Sequence, residues 1–160
     1  MTLVIPATPY RILFVCTGNT CRSPMAEAIL VHEAAKRGLA VEVDSVGTFA
    51  SGTEMAPAAR RVLSEIGIEV GPRRAAALSE RSLEGRDLVV AMEPEHVERI
   101  RMIAPKIRVP LTLLGTYGFP PADRIADPIG GEVETYRATR DELVGRIQAL
   151  LRQVAERAAS

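Results

Sequence analysis

Long hydrophobic runs are missing from this sequence of 160 residues. No apolar stretch approaches the roughly 18 residues of a membrane-spanning helix, so none is expected. An excess of one charge sign is missing too. Twenty Lys and Arg (20) face 20 Asp and Glu, and the isoelectric point is about 6.8. Nothing in that balance calls for nucleic acid or an anionic membrane as partner. Cysteine is scarce: Cys16 and Cys21 cannot supply the disulfide framework of a secreted scaffold. Met1 to Tyr10 holds two prolines and lacks the cationic-then-apolar pattern of a secretory leader, and residues 1–9 read as a loose N-terminal extension. A reducing, cytoplasmic compartment is the expectation. Lysine is limited to Lys36 and Lys106, a bias in favour of arginine that carries no functional weight. Internal repeats, low-complexity segments and long linkers are also lacking, so residues 1–160 are expected to form one domain.

What is present alternates between strand and helix signals. Ile12-Leu13-Phe14-Val15 is a continuous apolar run, as a strand covered on both faces requires. Pro24 opens a run of helix formers that Gly38 closes. Val41 to Val46 alternates apolar with polar residues and reads as an edge strand. A helix is expected from Pro57 to about Ile66, a buried strand over Leu88 to Met92, and a proline-started helix from Pro94 to Ile103. Val109 to Leu114 reads as a fourth strand, at an edge because Pro110 cannot donate to a ladder. An irregular stretch, Gly115 to Gly131, precedes a last helix from about Glu132 to Arg157. That helix has Val133, Tyr136, Leu143, Ile147, Leu150 and Val154 on one stripe. The order implies a doubly wound α/β domain: a four-stranded parallel sheet, order 2-1-3-4, with helices on both faces. Ligands in such sheets bind at the carboxyl ends of the strands beside the switch point, here after the first strand.

Cys16-Thr17-Gly18-Asn19-Thr20-Cys21-Arg22-Ser23 lies at that place. A bare Cys-x5-Arg is weak, since roughly one chain in ten of this length holds one by accident. Here it follows a buried strand, contains Gly-Asn, and runs into a helix through Ser23-Pro24. Five intervening residues suffice to wrap backbone N–H groups around an anion, with Gly18 and Asn19 tolerating left-handed dihedrals. In that geometry Cys16 is the nucleophile, favoured as thiolate by the N–H groups and the helix dipole. Arg22 offers a planar fork to two phosphoryl oxygens. Ser23 donates to the thiolate, and Asn19 holds the loop's shape. Thr17, Gly18, Thr20 and Cys21 complete the phosphate-binding set. The candidate general acid is Asp127, in Asp127-Pro128-Ile129-Gly130-Gly131. Asp-Pro also commonly opens a turn, and the two readings are compatible.

With Val15 to Pro24 and Asp127-Pro128, the chain resembles the low-molecular-weight protein tyrosine phosphatases over nearly its whole length. Ser45-Val46-Gly47-Thr48 and Val90-Ala91-Met92 sit where that family has similar segments. The resemblance implies the fold above, a phosphocysteine intermediate, and no metal or cofactor. Tyrosine-specific members tend to carry aromatics after the Asp-Pro, where this chain has Ile129-Gly130-Gly131, and a bulky aliphatic residue in place of Thr20. Thr20 with Asp-Pro-x-Gly-Gly resembles the bacterial protein-arginine phosphatase subgroup, which implies phosphoarginine in proteins as substrate. The physics agrees: phosphotyrosine presents an apolar ring and phosphoarginine a polar guanidinium, which a hydroxyl and a carboxylate suit better than an aromatic wall.

Protein-tyrosine phosphatase is the alternative within the family. A redox-sensing anion-binding module is the alternative outside it, motivated by Cys21 as a resolving partner for Cys16; a small buried filler explains Cys21 equally well. His32 and His96 are expected as exposed helix residues without a metal site. Tyr117 and Phe119 are candidates for the pocket wall or for packing, and Arg60-Arg61 with Arg73-Arg74 for a solvated surface.

Overall fold

Alternation along a single strand organises the molecule. In the computed structural model, which describes residues 8–159, β1 (Tyr10–Cys16) directs Ile12, Phe14 and Cys16 into one cluster and Leu13 and Val15 into another. All five are buried, as the unbroken apolar run requires of a central strand. Parallel to it on one side lies β2 (Val41–Gly47), with Tyr10 opposite Val41. On the other side lies β3 (Leu88–Ala91), with Ile12 opposite Leu88. Beyond β3 comes β4 (Leu111–Leu113), which completes the expected order 2-1-3-4.

Helices cover both faces. The larger core holds α1 (Arg22–Arg37), α2 (Pro57–Ser64) and α5 (Val133–Ala159), with Met25, Ile29, Leu63, Leu143 and Ile147 packed on Phe14 and Val90. The smaller one holds α3 (Glu80–Leu83) and α4 (Pro94–Ile103), with Leu83 and Ile100 packed on Leu13 and Val89. Full burial of each such side chain stabilises the fold by about 1.5–3 kcal/mol. Gly38 closes α1 in the left-handed region, φ 65°, as its place after the helix formers predicts.

Several boundaries differ from expectation. Pro110 precedes β4 instead of interrupting it, and its carbonyl accepts from Val89 N–H. A proline has no N–H to give a ladder, so it serves at the strand entrance by its oxygen. α2 stops at Ser64, two residues short of Ile66. α3, a single turn capped by the Ser79 and Ser82 hydroxyls, gave no periodic signal because one turn is too short to show a period. Of the expected extension 1–9, residues 1–7 lie outside the described residues. Among the described residues no helix is long and apolar enough to cross a membrane.

Candidate active site

The carboxyl end of β1 and the amino end of α1 are joined by residues 17–21, and this joint builds the site. The chain must reverse within five residues, and Asn19 takes the left-handed turn at φ 56°. Gly18 was the stronger candidate for that conformation and does not adopt it. Asn19 meets the strain because its side chain is fully buried and saturated with hydrogen bonds. Its Nδ2 donates to Ser23 Oγ (2.8 Å) and Ser45 Oγ (2.9 Å). Its Oδ1 accepts from Ala76 N–H (2.9 Å) and Arg73 Nη2 (3.2 Å). An asparagine is needed for this: it gives two protons and accepts two from one planar group.

Cys16 lies at the floor, 3% exposed. Its Sγ is 2.9 Å from Ser23 Oγ and accepts from Asn19 N–H at 3.3 Å. Ser23 Oγ already accepts from Asn19, so its one proton is shared between the sulfur at 2.9 Å and the more distant Val46 carbonyl at 3.4 Å. The first turn of α1 carries no acidic side chain, so its dipole faces the loop uncompensated.

Arg22 is almost entirely buried. One guanidinium nitrogen, Nη1, donates to Glu93 Oε1 and to the Ile125 carbonyl, both at 2.8 Å. The other, Nη2, lies 3.4 Å from both Thr17 Oγ1 and Asp127 Oδ2. Asp127 opens the expected turn and also borders the loop. Its Oδ1 accepts from Ile129 N–H (3.1 Å) to form the Asp-Pro turn, and its Oδ2 is left facing Arg22.

These residues enclose one cavity of about 210 Å³, lined by Cys16, Thr17, Gly18, Thr20, Cys21, Arg22, Asp127 and Ile129. Asn19 and Ser23, the remaining members of the expected set, support it from behind.

The model of the family described as "Low molecular weight phosphotyrosine protein phosphatase" matches residues 11–160. The chain belongs to this family. Among its relatives is the protein-arginine-phosphatase of Geobacillus stearothermophilus, 43% identical over 143 residues, which are 89% of this chain and 94% of that protein. The low molecular weight phosphotyrosine protein phosphatase of Schizosaccharomyces pombe is 32% identical over 91% of this chain and 97% of its own. A solved structure of the YwlE arginine phosphatase from G. stearothermophilus superposes with a TM-score of 0.83 and 41% identity, covering 93% of this chain and 95% of that one.

In this low-molecular-weight phosphatase the loop has supports that sequence reasoning missed or misread. His96 is buried, not exposed, because Pro94 starts α4 directly at the end of β3 and turns its first turn onto the loop. Its Nε2 lies 2.9 Å from Thr17 Oγ1. Burial, with Arg22 nearby, lowers its pKa below the usual imidazole value. His32 stays partly exposed on α1. The arginine cluster is not merely solvated. Arg73 donates to the Asn19 side chain, the Asn19 carbonyl and Ser45 Oγ, and Arg60 donates to the carbonyls of Val70 and Gly71. Burial, opposed by Arg73 and a hydrogen bond from Ser45, raises the Glu27 carboxyl behind this network.

Tyr117 packs in the larger core with its hydroxyl 3.1 Å from Thr112 Oγ1, and Phe119 is exposed; neither lines the cavity. The unforeseen neighbour of Cys21 is Tyr136, whose hydroxyl is 3.5 Å from its sulfur. Burial pushes the Cys21 thiol up and the Tyr136 phenol up further. Both cysteines are free thiols. Glu93 and His96 could have been found by the rule already used for Cys16, since they follow the carboxyl end of the neighbouring buried strand.

Proposed function

We propose that this phosphatase hydrolyses phosphoarginine in proteins through a phosphocysteine intermediate. The observation that carries the reading is the cavity wall: Thr20 and Ile129 stand beside Asp127, and among the described residues no aromatic ring lines it. A phosphotyrosine ring would lose its stacking partner there, whereas a guanidinium gains a carboxylate and a hydroxyl. The relative from G. stearothermophilus, a protein-arginine-phosphatase, supports the same substrate.

The distances in the loop support the following mechanism. The phosphoryl oxygens occupy the loop N–H groups and the fork of Arg22. Cys16 Sγ attacks phosphorus in line, and the P–N bond breaks. Asp127 gives its proton to the departing guanidino nitrogen, so arginine leaves with its valence complete. A water then attacks the phosphocysteine, passing its proton to Asp127, and the P–S bond breaks. Ser23 stabilises the sulfur as it regains its negative charge, and inorganic phosphate departs. Such chemistry needs a reduced thiol, which suits a cytoplasmic setting. Reversible pairing of Cys16 with Cys21 would guard that thiol from over-oxidation.

Two assays test this. Cys16→Ser should abolish turnover of an aryl phosphate while leaving phosphate binding within a few-fold of wild type; turnover in that variant sinks the mechanism. Phosphoarginine and phosphotyrosine peptides assayed side by side should give a large arginine preference, and Thr20→Ile should move kcat/KM toward phosphotyrosine by about tenfold or more. Equal rates in the unmodified protein would assign it to the tyrosine phosphatases instead.

A further inference from the structure

His96 is buried, titratable and against the loop, yet no step above uses it. Its hydrogen bonds fix its state. Glu93 N–H donates to its Nδ1 at 3.1 Å, so Nδ1 carries no proton. The neutral ring therefore bears its proton on Nε2 and donates to Thr17 Oγ1 at 2.9 Å. Thr17 Oγ1 also accepts from Arg22 Nη2 at 3.4 Å. Both lone pairs of that hydroxyl are thus engaged, and among the described residues it makes no third hydrogen bond. Its proton is left for the cavity that Thr17 lines.

We propose that His96 is a positioning residue for phosphoryl binding: it locks the Thr17 hydroxyl so that its proton points at a phosphoryl oxygen, and through the Glu93 amide it ties the partner of Arg22 to the same ring. This rests on the reading that the loop binds a phosphoryl group and is independent of which leaving group is attached. One ring thereby sets two donors at once, the Thr17 hydroxyl and the guanidinium that Glu93 orients.

The arrangement works only while the ring is neutral. A proton on Nδ1 would set N–H against the Glu93 N–H. The charged groups facing His96 are Arg22 from α1, Glu93 and Glu95 from the start of α4, and Asp127 from the loop before α5. Burial and Arg22 favour the neutral ring, and the three carboxylates oppose them. As pH falls through the lowered His96 pKa, phosphoryl affinity should therefore fall with it.

The test uses the full chain, an aryl phosphate as substrate and inorganic phosphate as competitive inhibitor. His96→Ala should lower kcat/KM about tenfold and weaken phosphate inhibition by a similar factor. His96→Gln, whose amide donates from nearly the same place and does not titrate, should recover most of that loss. It should also remove one inflection from the acid limb of the pH profile. In a Thr17→Val background, His96→Ala should cost little more. Wild-type phosphate affinity in His96→Ala, additive losses in the double variant, or an unchanged acid limb in His96→Gln would each overturn the proposal. Should the alanine variant fail to fold, the glutamine variant and its pH profile decide alone. If wild type binds no inorganic phosphate, the phosphoryl-site reading falls together with this one. If wild type binds phosphate and His96→Ala binds it equally, only the role of His96 falls.

Discussion

Arg22 is a full positive charge that has exchanged almost all of its water for Glu93, the Ile125 carbonyl, Thr17 and Asp127. Removing one partner of such a charge costs more than its hydrogen bond, because the charge stays buried with one countercharge fewer. Glu93→Ala should therefore destabilise the fold by about 3 kcal/mol. Inorganic phosphate should restore more melting temperature in that variant than in wild type, since the anion supplies the missing countercharge. Thermal melts with and without phosphate check both statements, and an equal phosphate effect on the two proteins would refute the second. At this scale the sequence was legible where chemistry is encoded locally. Cys16, Arg22 and Ser23 could be assigned because loop and helix start are contiguous. Arg73 could not, because it reaches the loop from more than fifty residues away and belongs to no local motif, whereas Glu93 and His96, as distant in sequence, were legible only through their place after the carboxyl end of the neighbouring buried strand.

Gly47 shows how an element end constrains the site. It closes β2, and a Cβ there would collide with the Thr17 carbonyl oxygen, with Asn19 N and Gly18 C at 2.9 and 3.0 Å. These atoms are backbone of the loop itself and cannot swing aside. Gly47→Ala should displace the loop, costing about 1–3 kcal/mol of stability and most of the catalytic rate. A crystal structure with an unmoved loop, or full activity, would contradict this. Most elements were readable because apolar continuity and alternation separate central from edge strands, as β1 and β2 illustrate. What could not be read is where one element presses on another. Nothing in the order of residues around Gly47 shows that the loop lies against it.

Across the whole molecule, α2 and α5 are joined outside the core by Glu65, which takes Arg137 at 2.6 Å and Arg140 at 2.8 Å. Hydrogen bonds from Arg137 chiefly, and Arg140, hold its carboxyl down to about 2. A folded-state pKa below the unfolded one stabilises at neutral pH, and that contribution is lost as pH falls from about 4.5 toward 2. The melting temperature of wild type should thus exceed that of Glu65→Gln at pH 7, by a gap that narrows below pH 4.5 and with added salt. A gap independent of pH would exclude the ion pairs as its source.

The loop's supports have a temporal consequence. Its neighbours are Ser45 at the end of β2, Ala76 before α3, Glu93 before α4, and Ile125 and Asp127 before α5. A ribosome makes Cys16 early and Asp127 late. A nascent chain therefore carries Cys16 before Asp127 exists, and Arg22 before the Ile125 carbonyl and the Asp127 carboxylate that hold it. On the proposed mechanism such a chain cannot turn over a phosphoprotein it meets during translation, and hydrolysis begins only when the last segment docks.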